Sequence, residues 1–324
     1  MTAVTLTQLR YLVAIADAGL NITQAADRVH ATQPGLSKQL KQLEEELGFK
    51  LFSRRGRALG SITPAGAEVL ERARVIVNEA DNIRSFAANQ RREAHGSLTL
   101  ITTHTQARFV LPPAIAALVQ RYPGVSVHLQ PVGESDIPGL LATGEADLAI
   151  TSTAGEAPPA GGLALPLFRW RRRVVVPQGH PLAEQRAPDL AQLGAHPLLS
   201  YESSVRPDSS LRRAFEAAGL QPRLALTARD ADLIKTYVRA GLGVGLLAEM
   251  ALLREDADLI SLPAPRAIPP CITWAVLPRE RVLRDYTLDL LLAIAPQYDR
   301  RDVRQALEIN APHDWPEPPD WQPG

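Results

Sequence analysis

The hydrophobic pattern changes period near residue 95, and that change limits the chain to a helical N-terminal part joined to an α/β part. Upstream, apolar residues recur every three or four positions; downstream, short β-rich runs alternate with helical ones. A length of 324 residues is more than one core usually organises, so the two patterns read as separate domains.

In the upstream part, Leu9, Leu12, Val13, Ile15 and Ala16 predict a helix over 6–18, stopped by Gly19. Asn21 reads as the N-cap of a second helix carrying Ile22, Ala25, Ala26 and Val29. Gln33-Pro34-Gly35 then reads as an interruption before Leu36, Leu40, Leu43 and Leu47 resume the period. Three short helices with a tight break before the last have the outline of a helix-turn-helix. In that motif the start of the last helix faces base edges in a major groove. Thr32, Gln33, Pro34, Ser37, Lys38 and Lys41 crowd this start, while Glu44, Glu45 and Glu46 stand at the far end, away from phosphate. Lys50 to Arg57 follows as a basic turn, in which Arg54, Arg55 and Arg57 suit a wing against a phosphate backbone. Singly, each feature is more commonly a capped helix or a solvated turn; their order and spacing favour DNA.

Thr63 and Pro64 predict the cap and first residue of a long helix reaching about Arg92. Val69, Ala73, Ile76, Ala80, Ile83 and Ala87 follow a 4-3-4-3-4 spacing, the seam of a coiled coil. Ala73, Ile76, Ala80 and Ile83 are therefore the candidate dimerisation residues. The competing reading packs this face on its own chain.

After His95-Gly96, strands are expected at 97–103, 125–132, 146–151, 173–177, 197–201, 224–227, 244–247 and 271–277. Helices are expected at 108–122, 136–143, 210–218, 230–240 and 282–294. This alternation implies two similar lobes built on parallel sheets, with a Pro- and Trp-containing tail at 310–324, loose or peripherally packed.

Formal net charge is zero, yet residues 1–95 carry 13 Lys/Arg against 10 Asp/Glu and the remainder 22 against 25, so local clusters must decide any nucleic-acid role. A single cysteine, Cys271, forbids an intrachain disulfide and fits a reducing compartment. No secretory leader and no membrane span are read, so a cytoplasmic location is expected. Gly241-Leu-Gly-Val-Gly245 leaves a helix and enters a strand, the reverse of a dinucleotide fingerprint. Without a Walker sequence, a nucleophile elbow, an HExxH motif or histidines at ligand spacing, neither an enzyme nor a metal site is expected.

The pieces TLTQLRYLVAIADAG, ITQAADRVHATQPGLSKQLKQLEEELGFKLFSR and LGSITPAGAEVL resemble the winged helix-turn-helix of LysR-type transcriptional regulators. SLTLITTHTQARFV at 97–110 and LTARDADLIKTYVRAGLGVGLL at 226–247 look like the CysB branch, which regulates sulfur assimilation and sulfonate use. The resemblance runs from residue 5 to about residue 295. It implies a winged helix-turn-helix over 1–63, a linker and dimerisation helix over 64–95, and a two-lobed α/β effector domain over 96–309, similar to periplasmic solute-binding proteins. It further implies binding to double-stranded promoter DNA as a dimer that pairs into a tetramer, with RNA polymerase as a candidate further partner. The effectors it implies are sulfate, thiosulfate, adenylyl sulfate, O-acetylserine or N-acetylserine, held by Thr103, Thr105, Gln106 and Ser152, the last where other members commonly carry Thr. The alternatives are a regulator of an unrelated pathway and a solute-binding module without DNA function.

The residues agree independently, because Thr103 to Gln106 join a strand end to a helix start, where backbone N–H groups and hydroxyls favour an anion. The competing reading makes Thr103 and Thr105 simple caps; His104 beside them is a further candidate contact. Arg206 occupies a loop where the resemblance leads one to expect a neutral Thr. Its guanidinium is expected either to join the anion site or to pair on the surface with Glu202 or Asp208.

Overall fold

The computed structural model describes residues 4–56, 58–279, 281–308 and 314–322. It divides into two compact units: one from the N-terminus to Glu93 together with Glu280–Arg284, the other comprising Ala94–Arg279 and Asp285–Gly324.

In the first unit, α1 (Leu6–Asp17) opens on a capping box in which the Gln8 N–H donates to Thr5 Oγ1 at 3.3 Å and the Thr5 N–H donates to Gln8 Oε1 at 2.8 Å. Asn21 caps α2 (Ile22–Arg28) by accepting from the Gln24 N–H at 3.1 Å. The next helix, α3 (Gln33–Leu47), corrects the expectation at Gln33-Pro34-Gly35, which form its first turn. Thr32 caps it through the Gly35 N–H at 3.3 Å. A first turn has no use for the N–H that proline lacks. The break lies earlier, where His30 adopts a φ of 52°.

A hairpin of β1 (Phe52–Arg55) and β2 (Ala58–Ile62) follows. Of the three acids expected to stand clear of phosphate, Glu44 is instead buried. Its carboxylate accepts from the N–H groups of Leu51 at 3.0 Å and Phe52 at 3.4 Å, and from Lys50 Nζ at 2.8 Å, tying the end of α3 to the hairpin. Thr63 starts α4 (Pro64–Gln90), accepting from the Gly66 N–H at 2.9 Å and donating to the Lys50 carbonyl at 2.8 Å. Any side chain at Gly66 would meet the backbone, since a Cβ there would lie 2.1 Å from the Leu51 carbonyl oxygen. Leu70 and Ala73 of α4 share one core with Leu12, Ile15, Leu36, Leu43 and Leu51, and ion pairs Arg10–Asp81 and Arg74–Asp17 bind α1 along α4.

The second unit runs β3 (His95–Thr102), α5 (His104–Phe109), α6 (Leu111–Arg121), β4 (Gly124–Pro131), α7 (Ile137–Ala142), β5 (Leu148–Ala154), β6 (Leu163–Trp170), β7 (Arg172–Pro177), α8 (Leu190–Gly194), β8 (Leu198–Tyr201), α9 (Ser210–Ala217), β9 (Leu224–Ala228), α10 (Ala231–Arg239), β10 (Val244–Ala248), β11 (Leu259–Pro263), β12 (Cys271–Leu277), α11 (Asp285–Ile294) and α12 (Arg300–Glu308). One sheet has the order β4-β3-β5-β12-β6 and the other β11-β7-β10-β8-β9, giving two lobes of like design.

Both sheets are mixed, which corrects the all-parallel expectation. β12 is antiparallel to β5 and β6, and β7 is antiparallel to β10 and β11. The chain leaves the first lobe between β6 and β7 and returns through β12, so alternation along the sequence does not report strand direction. β6 and β11 contain Pro166 and Pro263, which hides them as strands. Pro166 is tolerated because β6 lies at a sheet edge and its register with β12 shifts beside it. The helix expected at 108–122 is two, because Pro112 and Pro113 cannot accept a continuing helix and instead begin α6.

Near the C-terminus, the Arg169 N–H donates to the Pro319 carbonyl at 2.8 Å and the Trp321 N–H donates to the Arg169 carbonyl at 2.7 Å. The Trp321 ring sits 4.8 Å from that of Phe168, so this end packs on the outer edge of β6.

Candidate nucleic-acid interface and effector cleft

On α3, burial of Leu36, Leu40 and Leu43 turns the positions between them outward. Thr32, Gln33, Pro34, Lys38 and Lys41 are exposed and Ser37 is half-buried. Lys41 forms an ion pair with Glu45 at 3.4 Å, whereas Lys38 has no salt bridge among the described residues. Arg54 and Arg55 stand exposed on the hairpin, whose strands are pinned by the Ser61 N–H donating to Ser53 Oγ at 2.9 Å. Arg57, expected beside them, lies outside the described residues.

The expected seam on α4 is partly overturned. Ala73 is 1% exposed, buried in its own chain's core, so it cannot line an interface between chains. The cause is that this stretch of α4 lies against α1. Ile76 and Ile83 are 50% and 64% exposed, and Val75 and Phe86 on the same helix are also exposed; Ala80 is half-buried.

Between the two lobes of the second unit lies a cavity of about 820 Å³. It brings together Thr103, Thr105, Gln106, Ser152 and His104, as the sequence led us to expect. Gln106 is 1% exposed and held by its amide, which donates to Ser152 Oγ at 3.1 Å and Thr273 Oγ1 at 3.2 Å. The two hydroxyls are 3.0 Å apart, and Trp170 Nε1 donates to Thr273 Oγ1 at 3.0 Å. Thr103 precedes α5 without a side-chain capping bond, and Thr105 lies inside the helix, past the capping position. Neither threonine is therefore spent on capping. Among the described residues, three groups in this wall have buried atoms without a partner: Gln106 Oε1, His104 Nδ1, and Nε and Nη1 of Arg172.

Thr273, Trp170, Arg172 and Tyr201 were not legible as site residues, because the strands that carry them converge only through the return of β12 and the crossover into β7. Burial pushes the Glu134 carboxyl in the same cavity above the ordinary range, against the pull of Arg206 and Arg172. Burial likewise raises the Tyr201 phenol and the thiol of Cys271, a buried wall residue.

Arg206 lies at the cavity wall, but its fork is closed on Asp208, Nε to Oδ1 at 3.1 Å and Nη2 to Oδ2 at 2.9 Å. The surface-pairing alternative describes it, and the expectation that its guanidinium stands open to an anion is corrected. Glu202 pairs with Arg229 instead.

Residues 6–67 match the family described as bacterial regulatory helix-turn-helix protein, lysR family, and residues 91–298 match the LysR substrate binding domain. The chain is 40% identical to the HTH-type transcriptional regulator CysB of Haemophilus influenzae, over 93% of each protein. It is 34% identical to the HTH-type transcriptional regulator SsuR of Burkholderia cenocepacia, over 93% of this chain and 97% of that one. Among solved structures, the cofactor-binding domain of the Cbl transcriptional regulator superposes with a TM-score of 0.60 at 34% identity, covering 67% of this chain and 96% of that one. With an exposed helix start and basic hairpin in one unit and a polar cleft in the other, this chain belongs to the LysR family of transcriptional regulators, on the branch that holds CysB, Cbl and SsuR.

Proposed function

We propose that this regulator senses a small anionic sulfur compound in its interlobe cleft and thereby controls promoters for sulfur assimilation, cysteine biosynthesis or sulfonate use. The observation that carries the reading is the buried Gln106, fixed by Ser152 and Thr273 in a cleft whose wall keeps further polar atoms unpartnered. Sulfate, thiosulfate and adenylyl sulfate are the candidate effectors of that description; the sulfur-free O-acetylserine and N-acetylserine are the alternatives. The role is binding rather than turnover, and it is exercised in the cytoplasm.

Gln33, Ser37 and Lys38 read bases, whereas Arg54, Arg55 and Arg57 supply backbone attraction. Alanine at Ser37 or Lys38 is expected to cost ~1–3 kcal/mol on the cognate promoter and to relax base preference. Alanine at Arg54 or Arg55 should weaken specific and random DNA alike and shallow the salt slope by about one per residue. Anisotropy titrations on both DNAs at several salt concentrations separate the groups; the same loss on both DNAs for every variant would dissolve this division.

Ile76 and Ile83 pair two chains, and Val75 and Phe86 widen the contact. Ile83→Glu would place an unpaired carboxylate in that contact, so light scattering should report a smaller assembly than wild type. An unchanged mass would remove Ile83 from the interface.

A further inference from the structure

Arg172 begins β7, with only Arg171 separating it from the end of β6, so it enters the cleft from the lobe opposite Gln106 and Ser152. Its guanidinium carbon lies 6.0 Å from the centroid of the Trp170 ring, whose indole N–H is spent on Thr273. Nε and Nη1 are buried with no acceptor among the described residues, an arrangement proteins rarely leave on a cation. The contrast with its neighbours is sharp in chemical terms: Arg206 is forked by Asp208 and Arg229 is paired with Glu202, both at the exposed rim. Glu134 is the carboxylate that senses the Arg172 charge, yet no hydrogen bond joins the two.

We infer that Arg172 is the charge-pairing residue of the effector site, receiving an oxyanion on the N–H groups that have no partner among the described residues, while the hydroxyls of Thr103 and Ser152 face the same ion from the other lobe. This assignment rests on the proposed anionic effector. Because the contacts come from both lobes, the ion would hold them together, and a planar fork suits two oxygens of one sulfur oxyacid or carboxylate better than a point charge does.

The test is calorimetric titration of the full chain with sulfate and with thiosulfate, for wild type, R172Q, R172K and R206A. R172Q is expected to lose about 10- to 100-fold in affinity, the range for a hydrogen bond to a charged partner. R172K should lose part of that, because it keeps the charge without the fork, and R206A should stay within about twofold of wild type. If wild type binds and R172Q binds equally well, the assignment to Arg172 is wrong while the effector reading stands. If wild type binds neither anion, the effector reading fails for the inorganic sulfur oxyanions and takes this assignment with it. Should R172Q not fold, R172K decides: affinity equal to wild type for both anions overturns the role of the fork.

Discussion

Replacing Lys235 with methionine is expected to cost the second unit about 3–5 kcal/mol of stability, the range for removing one partner from a buried ion pair. Lys235 lies on α10 and its side chain is 3% exposed. Its Nζ donates to Asp256 Oδ2 at 2.7 Å and to the Ala251 carbonyl at 2.9 Å, and sits 3.0 Å from Asp232 Oδ1 and 5.6 Å from the Phe109 ring centroid. Asp232 also pairs with Arg108 of α5, so the cluster lies where α10 of one lobe meets the helix that carries Gln106. Loss of the ammonium would leave the Asp256 carboxylate, 6% exposed, with Arg239 and the Leu253 N–H as its remaining donors.

The same site predicts a pH dependence. Burial alone would push the Asp256 carboxyl up, but the Lys235 ammonium, the Leu253 N–H and Arg239 outweigh it and hold it below its ordinary value of 3.8. A carboxyl lowered on folding stabilises the fold above its unfolded value, and that contribution fades as pH falls through the lower folded value. Wild type should therefore lose stability more steeply than Lys235→Met below about pH 4. All four tryptophans fall between Trp170 and Trp321, so urea unfolding followed by tryptophan fluorescence reports this unit. A midpoint unchanged by Lys235→Met would show that the cluster contributes nothing net.

Glu44→Ala should loosen the hairpin from α3, at a cost of about 3 kcal/mol, since two buried N–H groups would lose their acceptor at ~1–3 kcal/mol each. The Leu51 and Phe52 N–H groups both point at the one carboxylate oxygen, Oε1. Promoter affinity should fall at least about tenfold, because Arg54 and Arg55 would no longer be held relative to the start of α3. Glu44→Gln keeps a carbonyl acceptor and should recover most of the loss. The first unit contains no tryptophan, so amide exchange at Leu51 and Phe52 is the direct readout, while the tryptophan-reported transition should not move. Unchanged exchange protection together with wild-type DNA affinity would refute this role for Glu44.

Local signals in the sequence determined most elements. Asn21, Thr63 and Pro64 mark helix starts at the positions where the chain uses them, and the apolar period places Leu36, Leu40 and Leu43 on the covered face of α3. The same periodicity drew Ala73 into a seam with Ile76 and Ile83, because it reports which face is apolar and not what covers it. Tertiary packing decided that α1 takes Ala73 and leaves the two isoleucines bare. In the second unit, Thr103 to Gln106 were legible because strand end, turn and helix start are contiguous. Thr273, which holds Gln106 from behind the wall, and Arg172, which lines the cleft, were not, since they come to the site only when β12 returns to the first sheet and β7 crosses into the second. Which arginine lacks a carboxylate partner was likewise set in three dimensions: Asp208, two residues away, closes on Arg206, whereas Arg172 in the cavity wall has no carboxylate hydrogen-bonded to it among the described residues.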